Sequence, residues 1–262
     1  MIVNTRRLFA SLLRRMQIST VCDVGSMNGE EALAFSTAAP HSRVFAFEPN
    51  PVNFGLMMAD RLMRERDIRI VPLAATNYDG EAELFLVEAD YGRRDPRRGM
   101  SSLYARSDAW APAAVVPVRT TRLDSFLATR CPSDTRLALW IDTEGKAYEV
   151  IEGLSGVAER IELLHVEVET AACIGAGQKL YPQVRALLAA LGLTELATDH
   201  ARSQLQFNAL FVRARQSGRM RLELAARLVT ARLRYLAVAA VVRLCPGYAR
   251  RYTTLRQRSA RC

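Results

Sequence analysis

From residue 20 to 212 the chain alternates short β-rich runs with stretches of helical periodicity. Thr20–Val24 predicts a strand and Glu30–Ala38 a helix; Arg43–Glu48 predicts a second strand, Val52–Arg66 a helix and Ile68–Pro72 a third strand. Ala82–Val87, set off by the turn Asp79-Gly80, and Val115–Thr120 read as two more strands, with Asp124 capping a helix that runs to Thr129. Leu137–Ile141 reads as a buried strand, Lys146–Gly153 as a helix, Ile161–Val168 as a strand, Tyr181–Leu191 as a helix and Leu205–Val212 as a closing strand. Repeated β-α-β units imply an α/β fold, a doubly wound and mostly parallel sheet with helices on both faces. The 82–87 and 115–120 runs break the alternation and are expected as inserted edge strands.

Both ends have a different pattern. Residues 1–19 predict an amphipathic helix with Leu8, Phe9, Leu12, Leu13 and Met16 on its apolar face; its arginines suggest a targeting peptide, but the apolar run is too short for a cleaved signal. Residues 213–262 predict a helical tail with an apolar stripe at Leu222, Ala225, Val229, Leu233, Leu236 and Ala240, ended by Pro246-Gly247. The domain organisation expected is therefore 1–19, 20–212 and 213–262.

Charge sharpens that division. The net charge is +9, yet residues 213–262 hold thirteen arginines against one acid, Glu223, so the tail carries +12 and the rest −3. An acidic main domain argues against a nucleic-acid site, and the tail suits a peripheral membrane surface, a protein partner or a second copy. The longest uncharged apolar run of the tail, Tyr235–Val242, is too short to span a bilayer. Five scattered cysteines without a CxxC pair exclude a disulfide framework and a structural zinc site and fit a reducing cytoplasm. Cys262 is the last residue, which does not make a prenylation box.

The candidate chemistry sits at strand ends. Asp23-x-Gly25-x-x-x-Gly29 follows the first strand, where glycines admit a ligand close to the backbone; GxGxxG is absent, and the acid suits an ammonium or hydroxyls better than a pyrophosphate. Glu48 ends the second strand 25 residues after Asp23, near where doubly wound nucleoside binders keep the acid that accepts from ribose hydroxyls. Leu139–Gly145 (LWIDTEG) carries an apolar strand into Asp142 and Glu144, carboxylates able to take a proton, hold a metal or grip an ammonium, although Glu144 also suits a helix N-terminus.

In their order these strand ends resemble an S-adenosylmethionine-dependent methyltransferase of the Rossmann-like class I kind, and more narrowly the FkbM-type family. The stretches that carry the resemblance are CDVGSMNG, RVFAFEPNP, RIVPLAATNYDGEAELFL, GMSSL at 99–103, VVPVRTTRLDSFL and LWIDTEGKAYEVIEGL, which together span about 20 to 170. The resemblance implies that Asp23, Gly25, Ser26 and Gly29 cradle the methionine end of the cofactor. It places Glu48 on the ribose with Pro49 and Asn50 nearby, Ala74 near the adenine, and Asp142 facing the sulfonium and the acceptor. One position departs from the pattern: where the family reads D-V-E-G-A-E, this chain has Ala147 in place of the second glutamate, and Lys146 puts a cation beside it.

The remaining candidates concern the acceptor. In Leu163–Glu169, alternation puts His165, Glu167 and Glu169 on one side; Glu169 is expected to meet the acceptor, and His165 is either a general base beside Asp142 or a packed core residue. Asp142 with Glu167 or Glu169 offers oxygens to a divalent metal. The long segment Tyr91–Ala114 holds Arg93, Arg94, Arg97, Arg98 and Arg106 and reads either as a lid over an acidic or glycan acceptor or as a solvated loop, with Ser101 and Ser102 able to bond a hydroxylated substrate. The reading is methyl transfer to a hydroxyl of a sugar, glycan or polyketide-like molecule; the alternatives are an N-methyltransferase, or a non-catalytic cofactor-binding scaffold that recruits a partner or membrane through its tail.

Overall fold

A computed structural model of the protein describes residues 2–90, 95–106, 112–200, 204–216, 218–222 and 226. It divides into two units, Met1–Ser217 and Gly218–Cys262. In the second, residues 218–222 and 226 are helical and Leu222 is exposed; the rest of the expected tail stripe, from Ala225 to Ala240, lies outside the described residues, as do Arg93 and Arg94.

In the first unit α1 (Thr5–Met16) leads into β1 (Thr20–Val24), α2 (Glu30–Ala38), β2 (Arg43–Phe47), α3 (Pro51–Ala59), α4 (Arg61–Glu65) and β3 (Arg69–Val71). Next come β4 (Ala74–Ala75), β5 (Gly80–Val87), β6 (Pro112–Thr121), α5 (Leu123–Arg130), β7 (Leu137–Ile141), α6 (Ala147–Glu152), β8 (Ile161–Glu169), α7 (Tyr181–Ala190), β9 (Leu193–Thr198) and β10 (Gln206–Arg213). The main sheet has the order β3-β2-β1-β7-β8-β10-β9, and its first five strands are parallel. β10 runs antiparallel to both β8 and β9. β4, β5 and β6 form a separate three-stranded sheet, so the inserted strands build a small sheet of their own.

Parallel strands covered on both faces should be apolar at nearly every position, and β1 and β7 are buried throughout. Phe45, Phe47, Leu139, Ile141, Leu164 and Val166 pack under α5, α6 and α7. On the other face Phe9 of α1 and Phe35 of α2 meet Trp140 of β7. β1 lies between β2 and β7, so the ends of β1, β2 and β7 open at one sheet edge. No helix among the described residues is long and apolar enough to cross a membrane.

Three local readings change. The helix expected over 52–66 breaks at Asp60, whose extended backbone ends α3 and whose carboxylate caps α4 by accepting the Leu62 N–H at 2.7 Å. Asp124 lies inside α5, behind Arg122 at the N-cap; it accepts from the Gly156 N–H and pairs with the Arg122 guanidinium. β9 forms where no strand was expected, because LTELAT has too little apolar alternation to signal one.

Candidate active site

The loop after β1 is shaped by three left-handed residues, Gly25 (φ +84°), Met27 (φ +50°) and Gly29 (φ +76°). The Gly25 and Ser26 N–H groups donate to the Phe47 carbonyl, and the Asp142 N–H donates to the Val24 carbonyl at 2.9 Å, which ties the ends of β1, β2 and β7 together. A Cβ on Gly25 would lie 1.7 Å from the Asp142 carbonyl oxygen, so only glycine lets the loop cross that strand end. Met63 fills the corresponding space at Gly29.

Two cavities meet at this edge. One, of about 560 Å³, has an apolar end made by Leu73, Ala74, Ala75, Leu84 and Leu103 and a polar end with Glu48, Arg98, Ser101, Asp142 and Glu144. The other, of about 700 Å³, is walled by Asp23, Ser26, Asn28, Glu30, Glu31 and Trp140 and shares Gly25, Met27, Gly99, Asp142 and Glu144 with the first. The pair therefore forms one cleft, apolar at one end and acidic at the other.

Asp23 is 1% exposed; the Ser26 hydroxyl donates to its Oδ2 at 2.5 Å, while its Oδ1 has no hydrogen-bond partner. Burial pushes the carboxyl up to about 7. Glu48 is also pushed up to about 7 by burial, against the backbone N–H groups of Asn50 (2.9 Å) and Met27 (2.7 Å), each donating to a different oxygen. Pro49 lines the first cavity. Asn50 does not reach either cavity: it is buried at the N-cap of α3, where its Oδ1 accepts from the Val52 N–H.

Three acids converge where β7 and β8 end. Asp142, Glu144 and Glu167 each place a carboxylate oxygen within 4.8 Å of the others. Burial first, then the carboxylates of Asp142 and Glu144, push Glu167 up to about 10, and it shares a hydrogen bond with Asp142. Asp142 is raised by burial as well, so the two carboxyls titrate as a pair that holds on to a proton between them. Burial raises Glu144 to about 7, against the Arg106 guanidinium 3.1 Å away. Glu144 itself sits in the left-handed region at φ +46°, and the Ser102 hydroxyl donates to its carbonyl at 2.7 Å.

The segment expected as either a lid or a solvated loop is, over 95–106, a wall of this cleft. Phe85 and Ser102 exchange backbone hydrogen bonds, Arg98 and Asn53 bond reciprocally at 3.1 and 3.0 Å, and Arg106 donates to the Met100 carbonyl. Ser102 is thus committed to the fold, whereas the hydroxyl of Ser101, a residue of the cavity lining, is buried without a partner. Lys146, which follows the acidic turn, pairs with Glu149 at 3.1 Å and lies 3.6 Å over the Tyr104 ring, so its charge is matched inside the wall.

Two expectations about β8 are corrected. His165 is 1% exposed beneath α1: its Nε2 bonds the Thr5 hydroxyl at 3.0 Å, and its ring stacks on Trp140 at 3.5 Å. Burial pushes it down to about 3, so it is a neutral core residue and no base for the cleft. Glu169 is buried at 3%, beside Gln206 and outside both cavities, and the acid trio takes Glu144 in its place. The sequence reading missed Leu73, Leu84 and Leu103, since apolar residues lining a cavity look like any other core positions, and the Met27 and Asn50 amides that hold Glu48 carry no side-chain signal at all.

A family model described as "Methyltransferase FkbM domain" matches residues 23–194. No curated protein matches the chain. Among solved structures, it is similar to an rRNA methylase from Streptococcus thermophilus (11% identity, 81% of this chain and 98% of that one, TM-score 0.45). It is likewise similar to the Aeropyrum pernix fibrillarin in complex with natively bound S-adenosyl-L-methionine (12%, 79% and 74%, TM-score 0.45). A third similar structure is an O-methyltransferase family protein from Burkholderia thailandensis (9%, 80% and 55%, TM-score 0.42).

Proposed function

The chain belongs to the FkbM family of S-adenosylmethionine-dependent methyltransferases, and from that premise we propose that it methylates a hydroxyl oxygen of a sugar, glycan or polyketide-like small molecule. The residues of the cleft fit the cofactor. Its apolar end suits a purine, Glu48 beside it suits ribose hydroxyls, Gly25 leaves room for close approach, and Asp23 Oδ1 offers an unpartnered oxygen for an ammonium. When bound, the cofactor supplies an electrophilic methyl group on a sulfonium.

The chain's own work is then to align the acceptor and take its proton. The observation that carries the oxygen reading is the acid trio. Asp142 and Glu144 line the cleft, and Glu167 stands behind Asp142 with the proton they share. Asp142 is our proposed base, and the unpartnered Ser101 hydroxyl in the same lining is our candidate to bond an acceptor oxygen. The same three carboxylates offer hard oxygens to a divalent cation, which magnesium addition and chelation would reveal in the same assay.

The test is transfer of labelled methyl to a panel of hydroxylated and amino acceptors. Asp142→Asn is expected to lower transfer to the best hydroxyl acceptor by about 10²-fold or more while calorimetry still detects S-adenosylhomocysteine. Full activity in that variant would remove Asp142 from the mechanism, and transfer to amines alone would replace the oxygen reading.

A further inference from the structure

One described helix has an outer side with no polar side chain. α3 exposes Pro51, Val52, Gly55, Leu56, Met58 and Ala59. Val52, Leu56 and Met58 are 41%, 41% and 50% exposed, and Leu62 of α4 adds a fourth apolar side chain at 48%. The inner side is already occupied, with Asn53 and Met57 buried at 1% each. A surface helix ordinarily turns charged residues outward, and a contiguous apolar exception marks a contact.

What lies beside it identifies the contact. α3 starts from the cofactor edge of β2 and returns to the start of the parallel strand β3, so its last turn and α4 lie at the opposite edge of the sheet. That edge holds a cavity of about 1120 Å³, open to solvent, lined by Arg43, Arg66 and Arg69 with the hydroxyl residues Ser19, Ser42 and Thr135. Asp67 and Asp134 share the lining, two acids against three arginines. Among the described residues no ion pair engages those arginines: Arg43 donates to the Arg130 carbonyl, and Arg69 lies 5.8 Å over the Phe45 ring. Arg61, nearby, is already paired with Glu65 at 3.4 Å.

We propose that this edge docks on an anionic phospholipid surface, with Arg43, Arg66 and Arg69 taking headgroup phosphates and Met58 and Leu62 entering the acyl boundary. Guanidinium groups bind phosphate oxygens in pairs, and an apolar strip flanked by arginines is what an interfacial protein presents to an anionic leaflet. Docked this way, the protein turns its acidic cleft, at the far ends of the same strands, toward solution.

The full-length chain is sedimented with vesicles of phosphatidylcholine alone and of phosphatidylcholine mixed with phosphatidylglycerol. Binding is expected only to the mixed vesicles. Arg66→Glu with Arg69→Glu, and separately Met58→Asp with Leu62→Asp, should each lower the bound fraction at least about 10-fold while S-adenosylhomocysteine binding and the unfolding temperature stay as in the parent. If the arginine reversal unfolds the chain, Arg66→Gln with Arg69→Gln takes its place. Sedimentation unchanged in both double variants would assign vesicle binding to the tail and overturn the proposal. So would binding of inorganic phosphate at the cavity without any binding to vesicles.

Discussion

Substituting Gly25 by alanine tests how the cleft is held in register. The added Cβ would sit 1.7 Å from the Asp142 carbonyl oxygen and 2.8 Å from its carbon, at a backbone φ of +84°. The left-handed conformation costs alanine about 1–2 kcal/mol. Relieving the contact, from 1.7 Å to at least 3.0 Å, requires a shift of about 1.3 Å between strand ends that the Asp142 N–H bond to Val24 holds at 2.9 Å. Forced overpacking of that kind costs about 1–3 kcal/mol more. The expected loss is therefore about 2–5 kcal/mol of a typical total of about 5–15. Displacing Asp142 by more than about 1 Å should also lower methyl transfer by about 10²-fold in molecules that remain folded. Urea unfolding, S-adenosylhomocysteine calorimetry and labelled-methyl transfer read the three effects. Gly55→Ala is the matched control: its Cβ meets nothing within 4 Å on the helix α3, and stability should rise by about 0.5–1 kcal/mol. A Gly25→Ala protein with the parent's urea midpoint and cofactor affinity would refute the reasoning, and so would equal damage from both substitutions.

Glu48→Gln should weaken S-adenosylhomocysteine binding by about 10- to 100-fold, because charge-assisted bonds to a buried carboxylate are worth about 1.5–3 kcal/mol; calorimetry checks it, and unchanged affinity contradicts the ribose role. Asp23, Glu48 and Glu144 are all raised to about 7 in the folded protein, so the folded state holds protons that the unfolded chain releases above about pH 4. Their contribution to stability is present at acid pH and is lost as pH rises through about 7, and urea midpoints of the ligand-free protein should fall from about pH 5 to 8; a flat profile would contradict the burial of these acids. His165→Phe should leave the pH dependence of methyl transfer unchanged while costing about 1–2 kcal/mol for the lost bond to Thr5; the disappearance of an ionisation from the rate profile would return His165 to the mechanism.

How much of this could be read from residues alone depended on how local the cause was. β1 and β7, five residues each and each closed by a turn, have the bounds their pattern predicts. The bounds of α2 also match, with Gly29 as its N-cap. Glu48 and Asp142 were legible because a charge at the end of a buried strand has few other places to go. The roles on β8 were not, because alternation puts residues 165, 167 and 169 on one side without saying where a cover ends. Helix α1 covers that side as far as His165, Glu167 faces Asp142, and Glu169 turns to Gln206. Ser101 and Ser102, adjacent in sequence, differ because one backbone carbonyl, that of Glu144, takes the second hydroxyl. The break between α3 and α4 rests on a single extended residue, Asp60, inside an otherwise helical pattern.

The attachment of α1 bears on how the chain comes to be folded at all. The first turns are fastened to residues made much later: the Val3 N–H donates to the Thr198 carbonyl at 2.8 Å, and the Thr5 hydroxyl meets His165, 160 positions on. During synthesis at about 5–20 residues per second, α1 waits roughly 10–40 s for those partners. Until then Phe9, Leu12, Leu13 and Met16, all buried in the finished protein, have only the partners made earlier, such as Phe35 of α2 and then Trp140 of β7. The seating of the first helix is thus complete only once β8 and β9 have been made, and its apolar side is only part-covered while most of the domain is synthesised.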